Sequence, residues 1–259
     1  MDIVRGASQI FGVELENNFN HPFFSRTVPE FWRRWHMTLG GWFKDYVYYP
    51  CTISHWMKKL NKTTKKRLPE RVSRFFTVVI PVMITWVLTG LWHGTGKTYL
   101  CWGIYYGALI TISVAFQPEF ARLTKLLRIR TDTLTWRTFQ MVRTFCCFMG
   151  GRLLTSPGSL RNTWMVLREM VGNFQPWCLL DGSVLAYGVN GADLILLAFC
   201  VLMLWAVSML QERCSVRQTL ARQNIVLRWA LLYVAIFSVV IFGIYGPGFE
   251  ASAFIYMQY

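Results

Sequence analysis

The sequence predicts an all-α, polytopic integral membrane helical bundle: about five transmembrane helices with interfacial or re-entrant helices beside them. Three observations predict it. Of the 259 residues, 54% are hydrophobic and only 15% are charged, whereas soluble domains are about one quarter charged. Apolar runs long enough for a bilayer core of about 30 Å recur along the chain. The excess of 27 basic over 13 acidic residues gathers in segments that fall on one side of those runs, as cytoplasmic loops do. The same composition excludes other classes. Twelve Trp and nineteen Phe are incompatible with disorder, and seven Cys are too sparse for a secreted disulfide scaffold. The apolar content argues against a soluble nucleic-acid binder, so no nucleic-acid partner is expected.

Taken in order, Ile3, Ala7, Ile10 and Phe11 recur at helical spacing from the first residues. No cap or basic leader precedes them, so the chain is expected to open inside a helix, as part of something longer. Residues 13–27 are polar and turn-rich. Thr27 can cap a helix, with Glu30 three residues later and Pro29 in the first turn. That helix is expected to run through Phe31–Leu39 and to break at Gly40-Gly41. An aromatic segment from Trp42 to Tyr49 is then expected to end at Pro50. Its arginines and aromatics suit an interfacial or re-entrant helix. A basic loop is expected over 58–74. Spans are expected at Phe75–Trp92, Thr98–Phe116, Leu134–Leu154, Leu194–Leu210 and Val226–Tyr245, the third carrying Arg137, Arg143 and Arg152. Basic segments 58–74, 117–133 and 211–225 then share one side. Asp193 is expected near the cap of the fourth span. Cys101, Cys146, Cys147 and Cys200 lie in apolar runs and read as small hydrophobes.

Two clusters can carry chemistry. Thr89-Gly90-Leu91-Trp92-His93-Gly94-Thr95-Gly96 joins the first two spans. An ionisable residue at membrane depth is a functional candidate by default, and His accepts protons near neutral pH. The alternative is a Trp-His pair turning the chain at the interface. The second cluster is Trp32-Arg33-Arg34-Trp35-His36, in which a continuous helix would place Trp32 and His36 on one face. It can hold an anionic group behind aromatic walls or form an interfacial belt with snorkelling arginines. Asp45 can pair with Arg33, Arg34 or Lys44. No GxSxG, HExxH, Walker or Rossmann motif is present. The four His are scattered without Cys partners, so no zinc site is expected.

Three runs carry a resemblance: Asn18-Phe19-Asn20-His21-Pro22-Phe23-Phe24, Glu30-Phe31-Trp32-Arg33-Arg34-Trp35-His36-Met37-Thr38-Leu39, and Trp42-Phe43-Lys44-Asp45-Tyr46-Val47-Tyr48-Tyr49-Pro50. With Gly90-Leu91-Trp92-His93-Gly94 and its sequel Trp102-Gly103 to Gly107, they resemble the membrane-bound O-acyltransferase family, in its bacterial polysaccharide branch. The ending Gly243-Ile244-Tyr245-Gly246 and Phe254-Ile255-Tyr256-Met257-Gln258-Tyr259 resembles the family's C-terminus. Two departures stand out: His21 where Arg is usual, and Gly150-Gly151 where an aromatic pair precedes Arg152.

The resemblance implies that residues 1–259 are the C-terminal part of a single membrane domain whose N-terminal half is absent. It implies an O-acyltransferase of the cell membrane. Acyl-CoA or an acyl-carrier thioester would be the cytosolic donor, and a hydroxyl on an extracytoplasmic protein or polysaccharide the acceptor. No bound cofactor or metal is implied. His93 would be the catalytic base and His36 a second catalytic residue, with Arg33, Arg34, Trp35, Asp45 and Trp92 contacting substrate. A lipid or protein acyltransferase, a non-catalytic scaffold, and a channel or transporter built on intramembrane Arg and His are the alternatives.

Overall fold

Side-chain oxygens cap most of the helices where the sequence places Ser, Thr or Asn. The computed structural model describes residues 2–179, 181–187, 190–212 and 214–243. The chain divides into two units, Met1–Cys178 and Leu179–Tyr259. Among the described residues everything regular is helical, save one antiparallel bridge between Phe19 and Trp35.

The first unit opens on α1 (Asp2–Ile10). α2 (Val28–Arg34) is capped by Thr27, whose Oγ1 accepts from the Glu30 N–H at 3.2 Å. The Glu30 carboxylate accepts from the Arg26 N–H at 2.9 Å, one residue upstream of the usual reciprocal bond, and pairs with Arg34 at 3.0 Å.

The helix then breaks earlier than expected. α3 (Met37–Phe43) runs through Gly40-Gly41 without interruption, and the break falls at Trp35–His36. The cause lies in the preceding segment. In a continuous helix the Arg34 carbonyl would accept from Thr38; here it accepts from the Asn20 N–H at 2.9 Å. The Met37 N–H donates instead to the Asn18 carbonyl at 3.0 Å, and His36 turns into the left-handed region at φ 50°. Trp32 and His36 therefore do not share a helical face.

Pro50 does not end the aromatic segment either. A wide π turn over Lys44–Tyr48 leads into α4 (Tyr49–Ile53), the Tyr49 N–H donating to the Lys44 carbonyl. The widened turn passes a residue that has no N–H to give. Residues 58–67 of the expected basic loop belong instead to α5 (His55–Arg67), capped by Ser54. It packs on the foot of the next helix through buried Met57 and a buried Thr64–Ser73 hydroxyl pair at 2.8 Å.

α6 (Glu70–His93) and α7 (Lys97–Ala115) cross at glycines. A Cβ on Gly90 would sit 3.2 Å from the Gly103 backbone, and one on Gly103 would sit 3.3 Å from the Gly90 Cα and closer still to the Trp86 carbonyl. A Cβ on Gly107 would meet the Trp86 Cβ at 3.1 Å. Small residues let the two backbones touch, as in membrane helix pairs.

α8 (Gln117–Leu126), α9 (Leu134–Thr155) and α10 (Leu160–Gly172) complete this unit. α7 and α9 are joined by two tyrosines. Tyr105 Oη donates to the Cys147 carbonyl at 2.9 Å and Tyr106 Oη to the Phe148 carbonyl at 3.1 Å. Gly150 and Gly151 leave the room these hydroxyls occupy, so rings from α7 fill the space at this departure from the resembled pattern. Arg143 from α9 donates to the Arg26 carbonyl at 2.8 Å. Tyr106 is 1% exposed, so Gly151→Ala forces its ring outward and costs about 1–3 kcal/mol. A lowered melting temperature in detergent is expected, with Gly172→Ala, where nothing lies within 4 Å, unchanged.

In the second unit, α11 (Gly191–Gln211) begins at a reciprocal cap: Asn190 accepts from the Asp193 N–H at 2.8 Å, and Asp193 accepts from the Asn190 N–H at 3.3 Å. α12 (Val216–Ala221) and α13 (Ile225–Phe242) follow, capped by Ser215 and Asn224. Trp229, Tyr233 and Phe237 line one face of α13 at four-residue spacing.

Among the described residues, four helices are long and apolar enough to cross a membrane: Phe75–His93, Lys97–Ala115, Gly191–Gln211 and Ile225–Phe242. The protein is a multi-pass membrane protein. These agree with the expected bundle of about five spans, one expected span differing in character. α9 forms over the expected residues, but Arg137, Arg143 and Arg152 keep it outside that apolar set. The end of the expected fifth span, the motif at Phe254–Tyr259, and Arg213 lie outside the described residues.

Candidate active site

The two histidine clusters, distant in sequence, converge within the first unit. His93 is the last residue of α6 and is half-buried. Its ring lies 4.8 Å from Trp92 and 5.0 Å from Trp102, both edge-on, and 6.5 Å from the near-parallel ring of Tyr99. Gly94 turns the chain beside it, and a Cβ there would be 2.6 Å from the Tyr99 ring.

His36 approaches from the break between α2 and α3. Its ring lies 6.3 Å from Trp92 and 6.3 Å from Phe19. Trp92 thus touches both imidazoles, and the two lie within electrostatic reach of each other. The Nδ1 of His36 is buried without a hydrogen-bond partner. Desolvation holds the His36 pKa below its usual range, so this imidazole is neutral at pH 7.

Behind the pair stands an aromatic wall. Trp32 lies 4.7 Å from Trp86, 4.7 Å from Tyr106 and 5.6 Å from Trp102, all edge-on. Its Nε1 is buried without a hydrogen-bond partner. Trp102 and Tyr106 are themselves buried. The arrangement offers a neutral imidazole and a second imidazole at a helix end, with apolar rings excluding water on one side. That suits proton transfer to and from a reacting hydroxyl.

The other expected site residues are placed as follows. Trp92 sits between the histidines and is 52% exposed. Arg33 is exposed. Arg34 is committed to Glu30 at 3.0 Å. Trp35 lies in a second aromatic cluster, stacked on Phe31 at 5.5 Å and beside Phe19 and Phe148 at 4.9 and 5.4 Å. There it helps fasten α2 to α9. Asp45 is exposed on the π turn. Sequence reasoning gave no role to Trp86 or Tyr106, because a tryptophan and a tyrosine in apolar spans look like any membrane aromatics. Their only signal is spacing: Trp86 and Tyr106 stand at glycine-lined positions of the α6–α7 crossing. Among the described residues no three metal-ligating side chains gather.

No protein-family model matches the chain. A teichoic acid D-alanyltransferase of Bacillus subtilis (strain 168) is 37% identical over 106 residues, 41% of this chain and 24% of that protein. A probable alginate O-acetylase of Azotobacter vinelandii is 28% identical over 206 residues, 80% of this chain and 36% of the relative. A peptidoglycan O-acetyltransferase of Helicobacter pylori (strain ATCC 700392 / 26695) is 30% identical over 172 residues, 66% of this chain and 28% of the relative. The chain is homologous to the membrane-bound O-acyltransferases. It spans about a quarter to a third of the length of the curated relatives it matches.

Proposed function

We propose that this membrane-bound O-acyltransferase relative passes an acyl group, in the first instance acetyl, from a cytosolic thioester to a hydroxyl on the outer side of the membrane. The product is an acylated cell-surface polysaccharide or an extracytoplasmic carrier of that group. The chain acts as the C-terminal part of a larger membrane domain. The observation that carries the reading is the meeting of His36 and His93 on Trp92, in a chain homologous to proteins named for O-acetyl and D-alanyl transfer.

The chemistry follows from the site. His93 takes the proton of the acceptor hydroxyl as its oxygen attacks the thioester carbonyl. The tetrahedral intermediate collapses, the C–S bond breaks, and the proton leaves with the thiol. His36, neutral and half-buried, presents its ring to a reactant as a hydrogen-bond partner. Exposed Arg33 attracts the anionic donor. His93 ends a span whose other end carries basic α5. If the basic end is cytoplasmic, His93 stands towards the outer side, where the acceptor arrives.

The test is His36→Ala at the native locus, with ester-linked acyl groups on envelope polymers and on lipids measured by mass spectrometry. Polymer acylation is expected to fall about 100-fold, the size of effect lost positioning produces. Loss of lipid esters instead would reassign the acceptor, and an undiminished rate would reduce His36 to packing.

A further inference from the structure

We infer that Asn18 is a positioning residue for His36, holding the imidazole in place by bracketing its backbone; this rests on the proposed role of His36 in acyl transfer. Residue 36 lies in the left-handed region at φ 50°, ψ 54°, where a residue with a Cβ stays only when its surroundings hold it. No cap bond from its own side chain does so. The restraint comes from a segment that precedes it by eighteen residues. The Asn18 carbonyl accepts from the Met37 N–H at 3.0 Å. The Asn18 Oδ1 accepts from the Thr38 N–H at 3.1 Å and from the Thr38 hydroxyl at 2.6 Å. On the other flank the Asn20 N–H donates to the Arg34 carbonyl at 2.9 Å. Residues 34, 37 and 38 are thus pinned to the 18–20 segment, and His36 between them has one backbone course open to it. Phe19, the residue between the two asparagines, lays its ring against both Trp35 and His36, at 4.9 and 6.3 Å.

The chemistry of the clamp is directional. Both side-chain bonds use the same oxygen of Asn18 as acceptor, so an aspartate can replace it and an alanine or leucine cannot. The Thr38 hydroxyl completes the pair, so serine can replace it and valine cannot. Releasing the clamp frees residue 36 to relax towards ordinary helical angles, and the ring then swings away from Trp92. A misplacement of about 1 Å costs on the order of 100-fold in rate.

The experiment measures acyl transfer, as kcat and donor KM, in membranes from strains carrying Asn18→Ala, Asn18→Asp, Thr38→Val, Thr38→Ser, the double variant Asn18→Ala/Thr38→Val, and His36→Ala. Melting in detergent is recorded for each. Asn18→Ala and Thr38→Val are expected to lower kcat about 10–100-fold with donor KM unchanged. The double variant should be no worse than Asn18→Ala alone, since the bond that Thr38→Val removes is one of the two that Asn18→Ala already removes. Asn18→Asp and Thr38→Ser should recover most of the rate. If His36→Ala is inactive while Asn18→Ala works normally, the clamp is refuted and the site stands. If His36→Ala is fully active, the proposed role of His36 fails first. A loss in Asn18→Ala that tracks a lowered melting temperature and is not recovered by aspartate also overturns the inference, leaving Asn18 a merely structural residue.

Discussion

On the proposed function, His93→Ala is expected to lower acyl transfer severely while the protein still inserts and folds in the membrane. The expected loss is about 10²–10⁴-fold, the range for removing a general base. His93 is chosen because of where its ring stands. It is half-buried at the end of α6, wedged between Trp92 and Trp102, with His36 in electrostatic reach. Its removal deletes one ring from a wall that keeps Trp32, Trp86, Trp102 and Tyr106 in mutual contact, so the wall survives. Transfer should be followed with labelled donor in isolated membranes, with melting in detergent and membrane fractionation as controls. His93→Gln keeps a hydrogen-bonding side chain of similar reach but cannot take a proton at neutral pH, and it should be as inactive as alanine. Activity near wild type in either variant would reject His93 as the base.

Gly103→Val is expected to be the most destructive substitution outside the histidines. The α6–α7 crossing has no slack: Gly103 faces the Gly90 Cα at 3.3 Å from where its Cβ would be, and the Trp86 carbonyl is nearer still. These are backbone atoms, which cannot rotate away as a side chain can. The helices must part, and about 3 kcal/mol or more is expected to be lost. Trp86 on α6 and Trp102 on α7 have their rings 5.9 Å apart, so parting the helices also opens the wall behind the histidines. Melting in detergent should fall sharply and transfer should vanish, with Gly103→Ala intermediate. Wild-type melting in Gly103→Val would show that the crossing is looser than these distances state.

The parts of the fold visible in the sequence are those decided by local chemistry. Four apolar runs are membrane-length helices among the described residues, their ends within three residues of the expected bounds, because burial of a span depends on its own composition. Thr27 caps α2 as expected, and Asp193 takes part in the cap of α11. What stayed hidden depends on partners far along the chain. Nothing near Trp35–His36 announces a break; the Asn20 N–H and the Asn18 carbonyl create it by taking up groups the helix would otherwise use. Gly40-Gly41 reads as a breaker, yet nothing competes for its backbone bonds and the helix passes through. Trp35 looks like a wall of the site, but Phe31 and Phe148 claim it. At the candidate site, His36, His93, Trp32 and Trp92 stand out in the sequence, whereas the approach of both histidines to Trp92 and the place of Trp86 and Tyr106 in the wall depend on how the helices pack.

The left-handed turn at residue 36 sets a trade-off. A glycine there would relieve the strain and favour the folded chain, yet it would delete the imidazole. Any side chain kept at this position holds its ring out at a cost in folding free energy that the neighbouring loop must offset. Stability engineering that relaxes this corner will therefore move against turnover.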